Sequence, residues 1–362
     1  MPLCKPRDTL LLSRVRNRSW LRRSWRLFAS GDPSFMALWL GRETEDVMTK
    51  QYEQNSVTEA ASNTHMTRSE VITGLGLEKY VMQLEVDGLC VVPPEVHGVP
   101  MSVFDDMVDF ILAKSEALVG CKFSLERGPH AEVSFSGRKG RTSLAEDPAK
   151  ITQFLIQQLS SEKRMFRDLA INTVVVALMR HMIGANATRF SSNNSFVKWC
   201  GDFGYGPSLG LHADQTAVPL PWGRTALTAN TNWCLTDYTL EGGAFAYVPG
   251  SHRFASRPQF PMAVEQAVPV EAPKGSIIVF HGATWHGAFP RKIPGMRISI
   301  ANYYRHMMVT SQEDFRNSFD RRQAEDCADP ELFKALSGFD DEFPYAQASQ
   351  PIPRVVDSSS RP

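Results

Sequence analysis

The sequence predicts a mainly β protein, a barrel or sandwich preceded by buttressing α-helices. Three observations lead there. After Ala187 the chain breaks into short β-branched or aromatic runs separated by Gly, Pro and Asn, the texture of antiparallel sheet folds. Before it, apolar residues recur at helical spacing, as at Phe104, Val108, Ile111 and Leu112 with acids between them. Finally, 362 residues with 43% hydrophobic side chains can build a large core, which excludes disorder throughout.

Residues 1–65 read as a poorly ordered basic leader. Positions 1–42 hold nine Lys and Arg against Asp8 and Asp32, and the stretch from Gln51 to Ser69 is polar and aperiodic. An arginine-rich start is shared with transit peptides. The expected compartment is the cytoplasm, with mitochondrial targeting as the reading in which the leader is functional. One domain is expected over residues 66–345.

Within it, Leu75 to Leu84 reads as a short amphipathic helix, and Asp87-Gly88 turns the chain into a strand at Leu89–Val92. Ser102 to Leu118 reads as a helix, as does Ile151 to Ile183 with a break near Ser160-Ser161. Seven strands are expected near Phe196–Cys200, Leu211–Thr216, Ala229–Thr236, Ala244–Val248, Ala267–Val270, Ser276–His281 and Arg297–Tyr304. They place the β core at about 187–306. Residues 346–362, rich in Ser and Pro, read as a disordered tail.

Composition narrows the partners. Lys+Arg and Asp+Glu both total 39, so no overall field attracts nucleic acid or an anionic membrane. The longest apolar run, Leu169 to Met179, contains Asn172 and Thr173 and ends at Arg180, too short for a membrane span. The six cysteines form no CxxC pair, against a zinc cluster or a disulfide framework and in favour of a reducing compartment. A small-molecule substrate is the remaining expectation, and oligomeric state is left open.

Chemistry converges on a few residues. In a strand, His212 and Asp214 project from the same side, because side chains alternate with period two. The run Ser276–His286 brings further histidines, and His286 would complete two imidazoles and one carboxylate, the facial set that leaves positions open on a non-haem Fe(II). Eleven residues on, Arg297 opens the next strand. An antiparallel neighbour there would carry its guanidinium beside the metal, where a planar fork of donors suits a carboxylate. Ser299 projects to the same side as Arg297.

His212-Ala213-Asp214, Glu241-Gly242-Gly243-Ala244, Val248-Pro249-Gly250-Ser251-His252, Lys274-Gly275-Ser276, Trp285-His286-Gly287 and Arg297 occur in an order and spacing that resemble the phytanoyl-CoA dioxygenase family of Fe(II)/2-oxoglutarate oxygenases. The resemblance covers roughly Leu75 to Phe343. It implies a double-stranded β-helix, or jelly roll, with Fe(II) held by His212, Asp214 and His286. It also implies 2-oxoglutarate as cosubstrate, its distal carboxylate on Arg297 with Ser299 helping and Trp233 lining its pocket, and O2 as oxidant. Many relatives carry a hydroxyl residue two positions after the distal histidine, where this chain has Ala288. Because halogenating relatives lose the aspartate, Asp214 points to hydroxylation or desaturation.

Other readings of the same residues are blander. His281 is expected to be packed rather than ligating, His252 to be a turn residue, and Trp199 and Trp222 to be pocket lining or simply core. Arg138, Lys139 and Arg141 are candidates for contacts to an acyl-CoA phosphate or a solvated charged loop. The alternative to an enzyme is a non-catalytic jelly roll that binds a metal or a small acid.

Overall fold

A computed structural model describes residues 67–133, 152–201, 208–339 and 341. The leader, the trio Arg138, Lys139 and Arg141, and the C-terminal tail lie outside the described residues.

Eleven strands are described: β1 (Leu89–Val92), β2 (Phe123–Ser124), β3 (Gly128–Pro129), β4 (Gln153–Ile156), β5 (Thr188–Gly201), β6 (Thr228–Cys234), β7 (Phe245–Tyr247), β8 (Val268–Val270), β9 (Ile277–His281), β10 (His286–Ala288) and β11 (Arg291–His306). They form an antiparallel six-stranded sheet in the order β1-β9-β6-β11-β5-β4 and an antiparallel three-stranded sheet in the order β10-β7-β8, besides the β2-β3 ribbon. His212 adds one bridge to the smaller sheet by pairing with His286. From β5 onward the chain passes from the large sheet to His212, back to β6, across to β7 and β8, back to β9, across to β10 and back to β11. That winding is a jelly roll, as the sequence leads one to expect.

Helices cover the outer face of the large sheet. Met101–Val119 contains no Gly or Pro, follows Pro100, and stops at Gly120, whose φ of 79° is open to glycine at little cost. It buries Phe104, Met107, Val108 and Ile111, which join Ile298, Ile300, Val197 and Trp233 of the sheet in the main core. Thr173–Ile183 is capped by Asn172, whose side-chain oxygen accepts from the amides of Val174 and Val175. Between the two sheets lies a separate apolar layer that includes Leu89, Tyr238, Phe245, Ile278 and Phe280.

Several expectations need correction. The expected helix at Leu75 to Leu84 is Glu78–Asp87, and an unforeseen helix, Arg68–Gly74, precedes it, the two parted at Gly76, where φ is +63°. The start of the stretch from Ile151 is not helical: Gln153–Ile156 pairs with β5 at the sheet edge, burying Phe154 and Ile156 against the helices. The strand near Phe196–Cys200 begins eight residues earlier, and the one at Arg297 begins at Arg291. Leu211–Thr216 is a single bridge at His212 followed by a 3-10 turn, Asp214–Ala217. Finally, His281 and His286 belong to different strands and different sheets, parted at Gly282–Trp285. Among the described residues no helix is long and apolar enough to cross a membrane.

Candidate metal centre and cosubstrate pocket

His212 and His286 exchange both backbone hydrogen bonds, at 2.8 Å each, so their imidazoles sit side by side with ring centroids 4.3 Å apart. Asp214 reaches the same point from the head of its 3-10 turn, which is tied down by the Gln215 amide donating to Gly282 O at 2.9 Å. Nε2 of His212 and Nε2 of His286 each lie 3.4 Å from a different oxygen of Asp214. One ligand atom from each residue lies within 4.8 Å of the others, and no other group of three such residues meets this condition among the described residues.

The backbone sets the tautomers. Nδ1 of His212 is 2.9 Å from Gly210 O and Nδ1 of His286 is 3.0 Å from Thr284 O. A carbonyl only accepts, so Nδ1 carries the proton in both rings and the Nε2 lone pairs face the carboxylate. Three acceptor groups thus converge with no donor between them, the donor set of a cation site. Burial pushes the His286 pKa down to about 4, against the pull of Asp214, and so keeps it a neutral ligand. Burial works to raise the pKa of Asp214, the hydrogen bond from Asn230 works against it, and the carboxyl stays below its ordinary range.

Two further side chains fix the aspartate. Asn230 of β6 donates its amide to Oδ2, and the Tyr303 hydroxyl of β11 donates to the Asp214 carbonyl at 3.2 Å. Phe245 stacks on His286 at 5.3 Å and 4°, with Phe280 also against it. His286 keeps 7% of its side chain exposed and His212 keeps 48%, so the group opens to solvent on the His212 side.

Arg297 lies on β11 of the large sheet and not on a strand next to His286 as spacing suggests. β10 pairs with β7, whereas β11 pairs with β5 and β6. Arg297, Ser299, Ala301 and Tyr303 alternate onto the inner face. The guanidinium donates through Nη1 to Gly243 O at 2.5 Å and lies 4.9 Å from the centre of the Tyr238 ring. Its Nε is buried without a hydrogen-bond partner, and Ser299 Oγ, although beside the Tyr238 hydroxyl, makes no hydrogen bond of normal geometry. Unused donors on one inner face are what a carboxylate would satisfy.

Trp233 is not in this group. It pairs with Ile300, and its ring packs edge-on to His97 at 5.1 Å and near Phe104 at 6.1 Å, on the helix side of the sheet. Asn232 and Asn230, one and three residues before it and so on the opposite side of the alternation, take the inner face instead. Two asparagines two residues apart, on the same side of a strand, are the signal that would have found them. His281 is packed: its Nδ1 accepts from the Ala283 amide at 3.0 Å and shapes the turn before His286. Trp199 and Trp222 are core residues, Trp199 on the helix side and Trp222 on the outer face of the small sheet.

The family model described as phytanoyl-CoA dioxygenase (PhyH) matches residues 85–299. The chain belongs to this family. The match contains both histidines, Asp214, Arg297 and Ser299. Among curated relatives, dioxygenase af480 of Aspergillus fumigatus is 33% identical over 147 residues, 40% of this chain and 44% of that protein. Dioxygenase aneA of Aspergillus aculeatus is 26% identical over 169 residues, 45% of this chain and 56% of that protein. The chain spans about half the length of these relatives. The crystal structure of HygX from Streptomyces hygroscopicus with nickel and 2-oxoglutarate bound aligns over 65% of this chain and 89% of that one, with 13% identity and a TM-score of 0.45.

Proposed function

We propose that the protein is an Fe(II)- and 2-oxoglutarate-dependent dioxygenase that hydroxylates or desaturates an unactivated C–H of a small-molecule or acyl substrate. The observation behind this reading is the convergence of His212, Asp214 and His286, in a fold whose large sheet also carries the buried Arg297 with an unused donor. When bound, iron and cosubstrate supply the oxidising power: for hydroxylation, substrate, O2 and 2-oxoglutarate give alcohol, succinate and CO2.

The chain's own residues position and exclude. Gly210 O and Thr284 O hold the two imidazoles with Nε2 inward. Asn230 and Tyr303 keep the Asp214 carboxylate from swinging out of the site. Arg297 and Ser299 hold the distal carboxylate of 2-oxoglutarate, and the Tyr238 ring supports the guanidinium from one face. Phe245 and Phe280 shield His286 from water. The substrate approaches from the exposed His212 side.

The test is to incubate full-length Fe(II)-loaded protein with 2-oxoglutarate in air and count products. Equal amounts of succinate and CO2, lost in His286→Ala, support the enzyme. Stoichiometric iron with no succinate, alone or with any of a panel of acyl thioesters and small metabolites, would favour the non-catalytic metal or small-acid binding jelly roll.

A further inference from the structure

Lys198 of β5 sits directly opposite Arg297 of β11 in the antiparallel register, so both side chains enter the same inner face. It is fully buried, and its ammonium donates to Phe289 O at 2.7 Å. Arg297 donates to Gly243 O, and these two carbonyls belong to one corner of the small sheet. A Cβ built on Gly243 would lie 3.1 Å from Phe289 O, and the Phe289 amide donates to Ala244 O at 2.9 Å. The two cationic heads are therefore drawn to the same spot. Arg291 adds a third charge there, its own donors occupied by the carbonyls of Gly295, Gly242 and Pro294.

Cationic heads brought this close repel one another, and an anion placed between them relieves that repulsion. Burial, with the charges of Arg297 and Arg291, lowers the Lys198 pKa to about 6; an arriving carboxylate reverses that pressure, because an anion beside an ammonium favours its charged form. We propose that Lys198 is a second cationic contact for the distal carboxylate of the 2-oxo diacid, and that with Arg297 it makes the site select a dicarboxylate over a monocarboxylate 2-oxo acid. The proposal rests on the reading of Arg297 as the cosubstrate clamp.

The experiment is an anaerobic titration of the full-length Fe(II)-loaded protein with 2-oxoglutarate and, separately, with 2-oxobutyrate, following the visible charge-transfer band of the chelated oxo acid. Wild type and Lys198→Met are compared, together with Lys198→Gln, which keeps a donor for Phe289 O. A charge-assisted contact is worth roughly tenfold or more in affinity. Both variants should weaken 2-oxoglutarate by about that factor and leave 2-oxobutyrate nearly unchanged. Equal weakening of both acids, or of neither, would overturn the proposal and leave the clamp reading standing. No band for either acid in wild type would remove both together.

Discussion

Asn230 and Asp214 lie on different elements, one in the middle of β6 and the other at the head of a 3-10 turn, and the Asn230 amide donates to Oδ2 of the Asp214 carboxylate. This bond orients an oxygen that also faces His286. Outer hydrogen-bond partners of metal ligands typically matter by roughly 10- to 100-fold in metal affinity. Asn230→Ala should lower Fe(II) affinity by about that much while leaving the fold intact. Competition with a calibrated chelator measures it, and an unchanged affinity would refute the role.

Gly287 separates the distal histidine from Ala288. A Cβ on it would lie 2.2 Å from the backbone oxygen of Leu209 and 3.1 Å from the Gly210 carbonyl carbon. Backbone cannot step aside cheaply, and Gly210 O is the acceptor that fixes His212. Gly287→Ala should therefore destabilise the fold by on the order of 2 kcal/mol and weaken iron binding together with it. Unfolding midpoints and metal stoichiometry check both, and a variant that keeps wild-type iron affinity would show that the two histidine segments are not coupled.

Trp233 packs on the helix side of the large sheet, against His97 and Phe104, with no exposed surface. Its replacement by phenylalanine should cost about 2 kcal/mol through the cavity it leaves and leave 2-oxoglutarate binding unaltered. A weakened cosubstrate with unchanged stability would instead support the pocket role that family resemblance implies.

These cases show what the residues alone could reveal. The texture after Ala187 was sufficient for an antiparallel β core, because period-two alternation and turn residues are local signals. His212, Asp214 and His286 could be picked out by residue type and spacing. The geometry behind that choice was wrong: Asp214 is not in a strand with His212, and Arg297 is not on a neighbour of His286. Which sheet a strand joins depends on long-range pairing, which spacing does not encode. Resemblance carries the position of Trp233 but not the face its ring takes, which is the helix side. The inner-face asparagines were legible from alternation. Lys198 was not, since its meaning comes from a strand about a hundred residues away.

Lys198 also makes a pH prediction. Burial first, then Arg297 and Arg291, lower its pKa to about 6, against about 10.4 in an unfolded chain. Between those values the unfolded chain binds the extra proton, so this group's contribution to stability grows as pH rises through the window and is lost as pH falls through it. In buffer without an oxo acid, the stability of wild type relative to Lys198→Met should increase from about pH 7 to about pH 9 by on the order of 1 kcal/mol per pH unit. Denaturant unfolding at the two pH values measures this, and a difference that does not change with pH would contradict it.

The central claim is that His212, Asp214 and His286 hold iron while Arg297 holds the far end of 2-oxoglutarate. The most direct measurement adds Fe(II) and then 2-oxoglutarate anaerobically to wild type, Asp214→Ala and Arg297→Ala, reading bound iron and the visible charge-transfer band. One iron per chain and a band are expected in wild type, neither in Asp214→Ala, and in Arg297→Ala a band that needs at least about tenfold more cosubstrate. Stoichiometric iron retained in Asp214→Ala, or an unchanged cosubstrate requirement in Arg297→Ala, would contradict the assignment.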